Sequence, residues 1–99
     1  MPKLYQYMGI NLWFWSDEHD PIHLHARCNG ATMIVKLYVK NGRVWRVTYK
    51  AKSGKFSADK EKALRTLVSA MKENIRTAWI DYFINHQHIA PIIINKKIK

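Results

Sequence analysis

Apolar and polar residues alternate along the front half of the chain and then change period. From Gly9 to Trp15, Ile10, Leu12 and Phe14 alternate with Asn11, Trp13 and Trp15, the period-two pattern of a half-buried strand. Ser16 to Pro21 is polar and ends in proline, which reads as a loop. Alternation resumes at Ile22, with Leu24, Ala26 and Cys28 on one side and His23, His25 and Arg27 on the other. Asn29-Gly30 then marks a two-residue hairpin, because both central positions need positive φ. That turn sets Cys28 opposite Ala31, Ala26 opposite Met33, Leu24 opposite Val35 and Ile22 opposite Leu37. Asn41-Gly42 predicts a second hairpin. A strict two-residue loop there pairs Leu37 with Arg46 and wastes Trp45, Val47 and Tyr49. A three-residue loop with a bulge at Gly42 instead pairs Leu37 with Trp45, Val35 with Val47 and Met33 with Tyr49. The apolar pattern favours the bulged turn. It predicts a core face that includes Trp45, Val47 and Tyr49.

From Ala58 the apolar residues recur at three and four. Leu64, Leu67, Val68, Met71, Ile75, Ala78, Trp79 and Tyr82 form the stripe of an amphipathic helix. Ser57 is the expected N-cap, with Asp59 and Glu61 in the favourable first turn. A helix reaching Asn85 spans ~40 Å, longer than a small sheet requires. A bend near Lys72–Asn74, or a projecting C-terminal half, is therefore expected. The predicted fold class is α+β: a four-stranded antiparallel meander sheet with one long, bent amphipathic helix on one face. Residues 1–85 form a single domain and 86–99 a basic and apolar C-terminal tail. Its Ile92-Ile93-Ile94 run is an extended strand or a docking segment, and together with the helix it offers a route to homo-oligomers.

Charge changes this picture. The 99 residues carry 17 Lys+Arg against 7 Asp+Glu, a formal net charge of +10. Between Asp20 and Asp59 there is no acid, only Arg27, Lys36, Lys40, Arg43, Arg46, Lys50, Lys52 and Lys55. Clustered positive charge on a folded domain points to an anionic partner. With 47% apolar and 12% aromatic residues the chain is too hydrophobic for a disordered basic tail. A lone Cys28 excludes a disulfide scaffold, and no apolar run approaches a membrane span. The opening segment lacks the apolar stretch of a signal peptide, so a cytoplasmic protein is expected.

The candidate chemistry lies on the polar side of the sheet. His23 and His25 share one strand face, roughly 6.6–6.8 Å apart along the chain. With His19 in the preceding loop, they are candidate acid–base groups for RNA cleavage, because imidazole titrates near neutrality. Arg27, Lys36, Tyr38, Arg46 and Lys50 are candidate nucleic-acid contacts, in which cations neutralise phosphate and aromatic rings stack on bases. Trp13 and Trp15 lie beside this row and serve either as further platforms or as a cap on the core edge. A plainer role for the histidines is to hold the loop by hydrogen bonds to Asp17 or Asp20. A metal reading joins His23 and His25 to His86 and His88 through a folded-back tail. His-x-His is a weak signal, and no metal or other cofactor is assigned. No P-loop, GxSxG, HExxH or CxxC motif occurs.

The segment from Gly9 to Leu37 carries a Gly-led apolar strand, an acidic turn and Pro21-Ile22-His23-Leu24-His25 ahead of a hairpin. In these elements, and in the Trp-bearing helix segment Glu73–Trp79, the chain resembles the bacterial domain-of-unknown-function 4160 family. Typical members have a second proline where this chain has Ile22, and are more acidic between hairpin and helix. The resemblance covers roughly residues 5–85 and implies importance for His19, Pro21, His23 and His25. It also implies a toxin-like component of a toxin–antitoxin-type pair, with a cognate antitoxin-like protein partner. Joined to the charge, it gives the expected function: a toxin-like protein that acts on or binds RNA. The alternatives are a non-catalytic nucleic-acid- or partner-binding module and a His-based metal-binding protein.

Overall fold

The computed structural model describes residues 3–15 and 21–98. Five strands run in chain order as hairpins: β1 Lys3–Tyr7, β2 Ile10–Phe14, β3 Ile22–Cys28, β4 Ala31–Lys40 and β5 Arg43–Ser53. Helix α1, Ala58–Trp79, follows, then a π-helical turn Ile80–Ile84 and a short strand β6, Ile92–Ile94. The fold is α+β, as expected, but the sheet is larger and of another kind. It has six strands in the order β5-β4-β3-β2-β1-β6, and β6 pairs with β1 in parallel. The four-stranded antiparallel meander is therefore corrected to a six-stranded mixed sheet.

Three of the hairpin turns share one backbone solution. Met8-Gly9, Asn29-Gly30 and Asn41-Gly42 all place both residues at positive φ, the conformation whose twist matches the flanking strands. Asparagine advertises that conformation in a sequence, and methionine does not. The turn at Met8 thus hid β1. Lys60 Nζ donates to the Met8 carbonyl at 2.6 Å, tying this turn to the first turn of α1.

The β3–β4 register is the predicted one, with Ile22 opposite Leu37 and Cys28 opposite Ala31. The β4–β5 register is not. Lys40 faces Arg43 across a two-residue turn, the register shifts between Tyr38 and Val39, and Leu37 then faces Val47 and Val35 faces Tyr49. The extra residue is Trp45. Moving the bulge into the strand keeps Val44 buried and Val47 and Tyr49 against the core, and leaves Trp45 59% exposed. Trp45 is thus not a core residue. The bulge frees the Val44 amide, which donates to Glu73 Oε2 at 3.0 Å.

The core lies between one sheet face and α1. Ile10, Leu12, Phe14, Ile22, Leu24, Val35 and Leu37 meet Leu64, Leu67, Val68 and Ile75, all buried. Ser57 caps α1 as expected, its side chain accepting from the Lys60 amide at 3.3 Å. No break occurs at 72–74. The helical path changes pitch at Ile80 instead, where the Asn85 amide donates to the Ile80 carbonyl at 3.0 Å. The wider π turn carries Tyr82 and Phe83, whose rings lie 6.4 and 5.6 Å from Phe14. The chain then returns along β1, and the Ile98 amide donates to the Tyr7 hydroxyl at 3.0 Å. Among the described residues no helix is long and apolar enough to cross a membrane.

Candidate nucleic-acid interface

The second face of the sheet carries no helix. Strand alternation sends Asn11 and Trp13 of β2 and His23, His25 and Arg27 of β3 to this side. They sit in register, Asn11 opposite Arg27 and Trp13 opposite His25. β4 and β5 continue the rows, with Lys36 opposite His23, Lys50 beside Ile34 and Arg46 opposite Tyr38. Residues 3–15 and 21–53 contain eight lysines and arginines and no acid. The described acids Asp59, Glu61, Glu73 and Asp81 all belong to α1 and the π turn. Glu61 and Glu73 are further occupied by Arg65 and Arg76, each at 3.0 Å. Positive charge on the open face thus has no carboxylate neighbour among the described residues of its own strands.

Aromatic rings and cations are interleaved. Lys52 Nζ lies 4.4 Å from the Trp15 ring centroid, Arg46 stands 5.8 Å from Tyr38, and Lys3 Nζ lies 5.9 Å from Trp13. Trp45 adds a ring 6.4 Å from Tyr38. Each cation–π contact at an exposed site is worth about 0.5–1 kcal/mol. These contacts hold the long side chains over the rings instead of letting them sweep freely through solvent.

The middle of the face is less accessible. The Trp15 ring meets His25 edge-on, with centroids 3.8 Å apart, and its amide donates to the His23 carbonyl at 3.0 Å. Desolvation pushes the His25 pKa below its ordinary value, and Lys52, Arg27 and His23 push it the same way. His25 is thus biased towards the neutral form, a hydrogen-bonding group more than a cation. Its Nε2, the Trp13 Nε1 and the Asn11 Oδ1 are sealed from solvent, and none has a hydrogen-bond partner among the described residues. A buried polar atom left unmatched costs about 1–3 kcal/mol. A patch holding three of them departs from the rule that buried polar groups are paired.

The sequence candidates divide accordingly. His23, His25, Arg27, Lys36, Tyr38, Arg46 and Lys50 are brought onto one face. His19, with Asp17 and Asp20, lies outside the described residues. His86 and His88 line a groove with Tyr82 and Phe83 on the helix side, away from His23 and His25. Among the described residues no three His, Cys, Asp or Glu side chains gather as metal ligands. Lys3, Lys52, Trp45 and Asn11 join the face without having been singled out. Lys52 and Asn11 keep the alternation of their strands, so they were legible. Lys3 lay in an unrecognised strand, and Trp45 required the true position of the bulge.

Fold and face together define a small α+β domain with one face closed by a helix and the other open, basic and aromatic. The chain belongs to the family described as a domain of unknown function (DUF4160), whose model matches residues 9–80. That span runs from the β1–β2 turn to the start of the π turn and includes the whole histidine-bearing hairpin. No curated protein and no solved structure matches the chain.

Proposed function

We propose that the protein binds single-stranded RNA on the open face of the sheet. The observation that carries this reading is the interleaving of cations with aromatic rings on a face free of carboxylates among the described residues of β1 to β5. Single strands expose bases that stack on rings, while Lys and Arg neutralise the backbone. The first contacts are Arg27, Lys36, Arg46, Lys50 and Lys52, with Trp15, Tyr38 and Trp45 as platforms. Binding is better supported than cleavage. His25 Nε2 is sealed beneath neighbouring side chains, whereas an acid–base group must reach the substrate. The toxin-like reading takes a narrower form: RNA held by this face, with an acidic protein partner competing for the same positive surface.

The test is fluorescence anisotropy with a single-stranded 12-nucleotide RNA across a salt series. Single-strand binding through four to five cations predicts a log–log slope of about −3. The double change Lys36→Glu, Arg46→Glu should weaken binding and flatten that slope. Binding insensitive to salt, or unaffected by this variant, sinks the proposal.

A further inference from the structure

β5 ends the sheet. It pairs with β4 on one side, and among the described residues no strand lies on the other. With 11 residues it is the longest strand. From Arg46 to Ala51 its pairing with β4 is regular, Arg46 opposite Tyr38 and Ala51 opposite Met33. In such a stretch alternate residues turn their N–H and C=O groups away from the neighbouring strand, so about three residues present a donor and an acceptor outward. The opposite edge offers less. β6 has three residues, follows Pro91 and carries no charge.

The side chains of this edge sort by face. Arg46, Thr48 and Lys50 belong to the open side, and Lys52 continues their row. Val47, Tyr49 and Ala51 belong to the helix side. Val47 and Tyr49 pack against the core yet stay only half-buried. Sheet edges are commonly blunted with lysines and bulges, and β5 has both. That device rejects a second copy of this chain. Two β5 edges side by side would bring the rows of Arg46 and Lys50 together, and like charges across paired strands are destabilising. The same charge attracts an acidic strand. An RNA backbone meets the cations but has no ladder of N–H and C=O groups to offer the edge.

We infer that β5 is the docking edge for an extended acidic segment of a partner protein, which adds a strand to the sheet. Its acidic side chains lie beside Arg46, Lys50 and Lys52, and its apolar ones beside Val47 and Tyr49. Main-chain hydrogen bonds supply affinity in this mode, and the alternating side chains supply specificity. The inference rests on the acidic-partner part of the function proposed above and not on RNA binding. It adds a sequence pattern, acid alternating with apolar, that charge attraction alone does not require.

The experiment titrates the full chain with labelled, end-blocked eight-residue peptides at one salt concentration. The first alternates glutamate and valine; the second has the same composition as four glutamates followed by four valines. The alternating peptide should bind about tenfold tighter, the worth of one backbone hydrogen bond. Two further peptides carry N-methyl groups on the alternating sequence, one at every glutamate and one at every valine. Only one of these sets of N–H groups faces β5, so one methylated peptide should lose about tenfold or more and the other stay within about threefold of the parent. Amide hydrogen exchange of the wild-type protein should slow at alternate positions between Arg46 and Lys52 when the alternating peptide is bound, and not at β6. Equal affinity for the alternating and block peptides, methylated peptides that bind alike, or protection at β6 in place of β5 overturns the docking edge while attraction of an acidic partner stands. Protection of the β5 amides by the 12-nucleotide RNA and not by the peptide assigns this edge to nucleic acid and also overturns it. No affinity for any of the peptides overturns both the edge and the acidic-partner reading, and RNA binding is then judged by its own salt series.

Discussion

The two faces of the sheet use the same strands and reach opposite ends. On the helix side, Leu24, Val35 and Leu37 meet Leu64, Leu67 and Ile75 with no solvent between them. Two of the carboxylates on that side are engaged, Glu61 by Arg65 and Glu73 by Arg76 and the Val44 amide. On the open side, among the described residues, Arg27, Lys36, Arg46 and Lys50 have no acid beside them on their own strands, and Asn11, Trp13 and His25 keep polar atoms unmatched. The first face is complete after folding. The second retains charge and hydrogen-bonding capacity that folding does not consume. Stability and binding should therefore separate by face.

The strongest test of that separation removes core volume. Leu67→Ala leaves a cavity in a fully buried position and should cost about 2–5 kcal/mol, read as a lower urea midpoint. RNA affinity measured where the variant is still folded should stay within about twofold. A large loss of affinity in the folded variant would mean that the two faces are coupled. The complementary change is Lys36→Glu, Arg46→Glu. Stability should shift by no more than about 0.5 kcal/mol, as for surface substitutions away from packed features. RNA affinity should fall by about 10- to 100-fold at low salt.

The smaller effects concern β5, whose register the apolar pattern does not determine. Alternation made β2, β3 and the helix stripe legible, because each has one apolar face and one polar face. It also put His23, His25, Arg27 and Lys36 on a common surface. It failed at β5, where a strict two-residue loop wastes Trp45, Val47 and Tyr49 and the apolar pattern therefore sets a bulge in the turn, whereas the bulge lies inside the strand at Trp45. The chosen register buried Trp45. The structure buries Val44 and gives the amide there to Glu73, a contact 29 residues away in sequence that no local pattern can announce. β1 stays hidden behind an unadvertised Met8-Gly9 turn, and the Ile92–Ile94 run, legible as a strand or a docking segment, gives no local sign of its parallel pairing with β1. The unmatched atoms of Asn11 and Trp13 are likewise invisible until neighbours are placed. Glu73→Ala should cost about 1 kcal/mol, the net worth of a hydrogen bond of this kind. The loss should be smaller in acid. Backbone and Arg76 hydrogen bonds hold the native Glu73 pKa below its ordinary value. Its contribution is present above the unfolded pKa and fades as pH falls through the native one. A variant as stable as wild type at neutral pH would show that the bulge is held by packing alone.

The last and smallest effect blurs the separation in a defined way. His25 sits on the binding face, yet its native pKa lies below the ordinary imidazole value, through desolvation first and then Lys52, Arg27 and His23. The unfolded chain, with the ordinary value near 6.5, therefore takes up a proton before the native protein does. Above that value both states are neutral at this position and stability is insensitive to pH. As pH falls through about 6.5, the unfolded state is favoured, and the loss stops growing once pH drops below the native pKa. His25→Gln removes this titration and should flatten the stability profile just below neutrality while leaving the acid limb from Glu73 in place. Lys52→Ala, which removes one of the cations acting on the imidazole, should shrink the same slope without abolishing it, because burial remains. RNA should act in the opposite sense. A polyanion laid over Arg27 and Lys52 offsets their field and draws the His25 pKa upward, so RNA-bound protein should take up protons on binding slightly below neutral pH. Proton uptake is measurable by calorimetry in buffers of different ionisation enthalpy. Uptake that persists in His25→Gln would place the responsible group elsewhere on the face. Uptake lost in His25→Gln and retained in Leu67→Ala would tie the pH response to the open face alone.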